Sequence, residues 1–242
     1  MRFSIFSIIF LMLACGKPEN RSCLKSIGGN TEKIIALDST TKFILKENIT
    51  YRIYQDSLNI VKLIGGQNLL NSIDITTENF VTTISNTNKC RFLRGYRDKV
   101  IAEIHYSNFQ NIYAEPTDSL SFIDEMNLKS LNLEIRDGGG FTDLNFRGEF
   151  LSIVVSNGVG NYRLKGFANQ AEVKVQNNGY GNAEGFKANQ LFLYQNSTAD
   201  LYANIDSSSV YMVIEGTGNL FCSGNPLNSE LVKNGDGELI LY

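Results

Sequence analysis

The sequence predicts an all-β chain wound as a parallel β-helix, or a β-roll-like solenoid, of about six to seven coils. Three observations predict it. First, a short phrase returns through the second half. It reads GVGNY at 158–162, GYGNA at 179–183, STADL at 197–201 and GTGNL at 216–220, with a fainter GFTDL at 140–144. Its polar residue falls at Asp143, Asn161, Asn182, Asp200 and Asn219, in steps of 18, 21, 18 and 19 residues, a period that marks stacked structural units. Second, the segments between these phrases alternate: Leu131, Leu133 and Ile135, then Leu151, Ile153 and Val155, then Ala171, Val173 and Val175. Such alternation buries one face of each strand. Third, 3 prolines and 21 glycines in 242 residues suit many short strands joined by tight turns.

The elements follow in order. Arg2 and the apolar run FSIFSIIFLMLA at 3–14 read as a signal peptide, residues 1–14, too short to span as a mature transmembrane helix. The run ends in LMLAC, which resembles the lipobox of bacterial lipoproteins, with Met12 where leucine is usual. Cleavage would leave Cys15 as a lipidated first residue; the alternative is an ordinary secretory signal. Several acyl chains on one residue suffice for stable anchoring, since each buried methylene adds about 0.8 kcal/mol. Residues 15–29 then hold the lipidated cysteine and a polar tether, GKPENRS.

The folded part spans 30–242. Its first stretch, 30–108, reads as more irregular strands: KFILK, TYRIYQ, NIVKLI, FVTTIS and KVIAEIHY, all rich in β-branched and aromatic residues. Between them GGQNLLNSI carries Leu69, Leu70 and Ile73 at helical spacing. The repeat coils occupy 109–242. An early rung is NFQNIYAEP, with Asn111 in the corner slot, and the last is NGDGELILY. After each corner an inward pair is expected: Leu144/Phe146, Tyr162/Leu164, Leu201/Ala203 and Leu220/Cys222. The third unit has only Ala183/Gly185, which needs bulky neighbours such as Leu164 and Phe186. The corner residues Asp143, Asn161, Asn182, Asp200 and Asn219 are expected to form one column. Their side chains would bond amides in adjacent coils, and asparagine tolerates the left-handed backbone of a corner. An antiparallel sandwich or barrel is the competing architecture.

Export would place Cys23, Cys90 and Cys222 in an oxidising compartment. Three is odd, so at most one internal pair forms. A Cys23–Cys90 disulfide would pin the start of the fold to its body, and Cys222 reads as a buried apolar thiol. The alternative is three free cysteines.

GTGNLFCSGNP with its echoes, IVKLIGGQNLLNSI and NTNKCRFLRGY together resemble the putative auto-transporter adhesin, head GIN domain family. The resemblance covers about residues 30–242. It implies a right-handed β-helical body and an exported protein, often a lipoprotein, of Gram-negative bacteria. No catalytic residues come with it. The chain ends at Tyr242 without a translocating barrel domain, so autotransport is not expected.

The residues themselves argue against several chemistries. A net charge of −3 with scattered Lys and Arg argues against nucleic acid. One histidine, His105, and no CxxC argue against a zinc site, and no nucleophile elbow GxSxG occurs. GVGNYRLKG lacks the GK[ST] of a phosphate loop. Only Asp143 and Asp200 are acidic among the corner residues, which fits a structural ladder better than calcium. Glu134, Asp137, Asp143, Glu149 and Glu172 are candidate acids for a β-helical carbohydrate-active enzyme, but no pair among them stands out. Tyr180, Tyr194, Tyr202, Tyr211 and Phe167 could form a platform for a glycan or a protein edge. DSL at 56–58 and 118–120 and DST at 38–40 resemble a bacterial O-glycosylation pattern. The expectation is therefore a non-enzymatic, lipid-anchored outer-membrane protein without cofactor or metal, an adhesin or structural binding module; the alternatives are a β-helical carbohydrate-active enzyme or a passive envelope scaffold that pairs through an exposed coil end. Its side of the membrane and its ligand stay open.

Overall fold

The structure, a computed structural model, describes residues 26–88 and 99–242. The signal peptide, Cys15, Cys23 and Cys90 lie outside the described residues.

Among the described residues nineteen strands form one continuous solenoid. The first nine are β1 (Asn30–Ala36), β2 (Lys42–Leu45), β3 (Thr50–Tyr54), β4 (Ile60–Gly66), β5 (Ile73–Glu78), β6 (Val81–Asn86), β7 (Ile101–His105), β8 (Asn111–Ala114) and β9 (Ser119–Phe122). Then come β10 (Met126–Asn127), β11 (Ser130–Ile135), β12 (Phe141–Val155), β13 (Asn161–Asn177), β14 (Tyr180–Ser197), β15 (Leu201–Asn204), β16 (Ser209–Ile214), β17 (Leu220–Ser223), β18 (Asn228–Lys233) and β19 (Leu239–Leu241). A four-residue helix, α1 (Gln67–Leu70), lies where helical spacing predicted it and buries Leu69 and Leu70.

From β8 onward the chain makes seven consecutive turns. Each turn lays one strand on face A, rounds a corner, lays one on face B, and returns. On face A, β8, β11, the second halves of β12, β13 and β14, then β16 and β18 pair in parallel. On face B, β9, the first halves of β12, β13 and β14, then β15, β17 and β19 do the same. β12, β13 and β14 are long because each continues from face B round a bend onto face A. Equivalent residues stack coil upon coil. Leu131 meets Leu151, which meets Ala171, then Leu191, then Val210, and all five are at most 4 % exposed. Each fully buried Leu, Ile or Val contributes roughly 1.5–3 kcal/mol, so this inward column and its neighbours hold the coils together.

The segment 30–108 is drawn into the same solenoid. β2 and β3 form a further turn beneath β8 and β9, and β6 and β7 form one beneath β2 and β3. The spatial order therefore departs from chain order, because 60–105 loops back under an earlier turn. Antiparallel strands finish this end: β4 pairs with β7 and β1 with β4 on face B, and β5 with β6 on face A. The outermost strand β1 carries Glu32 and Lys33 and is largely exposed. Charges on an edge strand discourage pairing with a foreign chain.

The inward pairs after the corners are buried as the pattern predicts, including Leu144, Phe146, Tyr162, Leu164, Leu201, Ala203, Leu220 and Cys222. Phe186, proposed to compensate for Ala183 and Gly185, is 1 % exposed. It stacks over Gly166, which itself pairs with Phe146 below. Gly166 has φ +107°, and a Cβ there would stand 2.0 Å from the Phe146 carbonyl oxygen. Glycine is required at that position.

The expected single column of Asp143, Asn161, Asn182, Asp200 and Asn219 is corrected by the register. Asn161 pairs with Phe141 and Tyr180; Asp143 pairs with Arg163, and Arg163 with Asn182. Thus Asp143 and Asn182 stand two residues beyond the column that contains Asn161, Asp200 and Asn219. The uneven steps of 18 and 21 in the sequence record that offset around a structural repeat of 19 or 20 residues. A true ladder exists only at the far end. Asp200 Oδ1 accepts from the Asn219 backbone N–H at 2.8 Å, and Asn219 Oδ1 accepts from the Glu238 N–H at 2.9 Å. The left-handed positions are not the ladder asparagines either. They include Asp137, Gly158 and Asn177, and the latter two lie three residues before Asn161 and Tyr180. Asn111 sits on face A, where Asn132 Nδ2 donates to its Oδ1 at 3.2 Å, and not at a corner.

Candidate functional site

The strands of face A expose every second side chain, and parallel register lines these up along the solenoid axis. One outward column runs Phe150, Gln170, Gln190, Ser209 and Asn228. Two residues on, a second runs Ser152, Glu172, Phe192, Tyr211 and Glu230. Between them lies an open groove of about 590 Å³. Its floor is the backbone of the rungs carrying Ala171, Leu191, Val210 and Ser229.

Phe192 and Tyr211 form the centre of one wall. Their ring centroids are 5.7 Å apart at 18°, an offset stack that leaves part of each ring facing outward. Tyr194 extends the cluster at 6.3 Å from Phe192. Its hydroxyl donates to Glu215 at 2.5 Å and accepts from Asn196 Nδ2 at 3.1 Å; the Glu215 bond raises its pKa. The opposite wall is amide-rich: Gln170 Nε2 donates to Gln190 Oε1 at 3.0 Å, and Asn228 Nδ2 to Ser209 Oγ at 3.0 Å. Glu172 and Glu230 flank the aromatic centre. The Lys174 ammonium, 2.6 Å from Glu172, lowers that carboxyl's pKa against the cost of partial burial, with help from Ser152 Oγ at 3.0 Å.

The five aromatics singled out in the sequence separate. Tyr194 and Tyr211 lie on face A. Tyr180 and Tyr202 lie on face B, where Tyr202 stacks on Phe221 at 4.6 Å and 5°. That close, parallel overlap is a packing ladder between rungs. Phe167 lies on the return side, between Arg147 and Lys187. Sequence reasoning missed Phe192, Gln170 and Gln190. The signal was present in LFLYQ: an inward Leu191 and Leu193 oblige Phe192 and Tyr194 to face out.

The candidate acids are dispersed. Glu134 accepts from Ser156 Oγ at 2.6 Å, Asp137 from Asn157 Nδ2 at 2.5 Å, and Asp143 pairs with the Arg163 guanidinium. Glu134 lies in the column of Tyr113, Val154 and Lys174, two positions from that of Glu172. Glu149 sits at the bend between faces. His105 Nδ1 lies 2.6 Å from Asp56 Oδ2, under the stacked ring of Tyr54 at 4.6 Å. Among the described residues no cluster of three His, Cys, Asp or Glu side chains could hold a metal ion. Of the three acceptor-like serines, Ser39 and Ser57 are exposed and Ser119 is half-buried in β9. Cys222 is fully buried between Ala203 and Leu241, and burial pushes its thiol pKa up to about 12.

The sequence profile of the putative auto-transporter adhesin, head GIN domain family matches residues 41–226. The chain belongs to this family. Its fold recurs in solved structures. A putative adhesin from Bacteroides fragilis is similar with TM-score 0.77 at 18 % identity, covering 88 % of this chain and 97 % of its own. A putative adhesin from Parabacteroides merdae gives 0.64 at 16 %, covering 89 % and 97 %. A putative lipid binding protein from Parabacteroides distasonis gives 0.68 at 12 %, also covering 89 % and 97 %. No curated protein matches the chain. At these identities the neighbours speak to the solenoid fold, and the family assigns an adhesin-like binding role at the cell envelope.

Proposed function

We propose that the chain is a lipid-anchored, non-enzymatic binding protein of the bacterial outer membrane that serves adhesion. The observation that carries this reading is the face A groove. Its walls are the half-buried ring of Phe192, the exposed ring of Tyr211 and exposed amide side chains, a lining that recognises a surface without transforming it. The lipobox-like LMLAC ending at Cys15 supplies the anchor, and the family's adhesin character supports the role. The candidate carboxylates do not converge as glycoside hydrolysis needs, with two acids flanking one bond.

Two experiments test the reading. Cys15→Ser is expected to abolish lipid labelling and release soluble protein; unchanged labelling removes the anchor. Protease shaving of intact cells is expected to degrade the folded body. A protected body is incompatible with adhesion.

A further inference from the structure

The geometry of the groove points to a ligand class, an inference that rests on the binding role above. We propose that face A binds an uncharged oligosaccharide laid along the solenoid axis, held between the amides of Gln170, Gln190 and Asn228 and the rings of Phe192 and Tyr211. Three features of the site argue for this chemistry.

The first is spacing. Parallel register repeats each wall once per rung, about 4.8 Å, comparable with the length of one pyranose unit in an extended chain. A glycan can therefore meet one neutral polar side chain of the first wall at each successive rung from Gln170 to Asn228, and a ring of the second wall at the two middle rungs. The second is the availability of groups. In the interior rungs the backbone N–H and C=O groups are engaged in parallel ladders on both sides. A peptide cannot add as a strand to those rungs, and the open edge of β18 lies at the end of the groove, so along the groove recognition falls to side chains. Those side chains are neutral amides and a hydroxyl on one wall and aromatic carbon on the other. Sugar hydroxyls can bond the first, and the C–H faces of a pyranose can pack on the second. The third is charge. Glu172 and Glu230 border the rings, and the nearby Lys174 ammonium is engaged by Glu172 at 2.6 Å. A uronate, a sulfated glycan or a phosphate polymer would meet carboxylates, with no Lys or Arg among the described residues that line the groove. A polyol can instead donate hydroxyl hydrogens to them. The groove is also open to solvent along its length, which suits a polymer whose outer side stays hydrated better than an acyl chain.

The full-length protein is titrated calorimetrically with maltohexaose, cellohexaose, mannohexaose, xylohexaose and N-acetylchitohexaose. Hexagalacturonate and phosphatidylcholine vesicles are run beside them. At least one neutral hexaose is expected to bind, with Kd in the millimolar range or tighter. Tyr211→Ala is expected to weaken it about tenfold, the equivalent of about 1.4 kcal/mol of ring contact. Tyr211 is 41 % exposed, so its truncation should leave the melting temperature nearly unchanged. Gln190→Ala should weaken binding as well, and Tyr180→Ala, on face B, should not. The proposal is overturned if no neutral hexaose binds at ten times the millimolar range, if binding survives both Tyr211→Ala and Gln190→Ala, or if hexagalacturonate or the vesicles bind in place of the neutral sugars. Beads coated with the protein and allowed to adhere to cells separate the two readings. Adherence that persists in Tyr211→Ala removes the glycan groove and leaves adhesion standing. Hexaose binding by a protein that is protected from shaving does the reverse.

Discussion

Gly181 gives a prediction in which two physical effects have opposite signs. It lies on face B between Tyr162 in the coil below and Leu201 in the coil above, both 0 % exposed. Its backbone lies outside the left-handed region, so alanine fits its dihedrals. By conformational entropy alone Gly181→Ala would stabilise the protein by about 0.4–1 kcal/mol. Space decides otherwise. A Cβ would stand 2.6 Å from both Cζ and Oη of Tyr162 and 2.8 Å from Leu201 Cδ1. Neither side chain has a solvent exit, so the neighbours must leave good rotamers or the coils must part, at about 1–3 kcal/mol. The net expectation is destabilisation of about 1–2 kcal/mol, read as a lower urea midpoint at unchanged slope. The melting temperature should fall by roughly 2–8 °C. Tyr162→Leu opens the same space, so Gly181→Ala should cost less in that background than alone. A Gly181→Ala variant as stable as the parent, or more stable, would refute the packing argument.

Three other outcomes follow from the same reading. Asn219→Ala removes the acceptor for the Glu238 amide, and is expected to cost about 1 kcal/mol and to speed hydrogen exchange at Glu238; unchanged exchange there would dissolve the ladder. The Glu172 carboxyl, hydrogen-bonded by Lys174, titrates below its ordinary value of 4.5, so folding favours its ionised form. Its contribution to stability is complete above that ordinary value and is lost as pH falls through the lowered one. Lys174→Ala should move the carboxyl NMR titration back upward. Cys222, with its thiol raised to about 12 by burial, should resist alkylation at pH 8 in the folded protein and react on unfolding. Counting thiols in the same unfolded sample tests the cysteine bridge: three thiols among Cys23, Cys90 and Cys222 exclude it.

Much of the body was legible because its signals are local. The alternation of Leu131, Leu133 and Ile135 with outward polar residues gave the buried face, and the burial of all three agrees with it. Helical spacing in 65–73 gave α1, and the β-branched runs gave β2, β3, β4, β6 and β7 close to their bounds. The corner column was not legible in the same way. A repeated phrase marks similar chemistry, but register is fixed by the stacking of neighbouring coils, so Asp143 and Asn182 resemble Asn161 in sequence and stand two positions away in space. The order of the first turns was hidden for a related reason. Nothing local to FVTTIS says that it slides beneath KFILK; that pairing joins residues far apart in sequence and is decided by which sheet end still needs covering.

The candidate site divides along the same line. Tyr194 and Tyr211 were visible as outward aromatics because alternation alone assigns a face. Their company was not. Phe192, Gln170 and Gln190 become neighbours of Tyr211 through parallel register across successive rungs, while Tyr180 and Tyr202, equally conspicuous in sequence, are carried to face B. The sequence by itself determined the strand periods, the inward residues and the family, since each depends on spacing within one or two coils. Only the tertiary structure decided which outward side chains share a wall and which residues form the ladder. A solenoid's surface is assembled one rung at a time, and the alignment between rungs is a property of their packing.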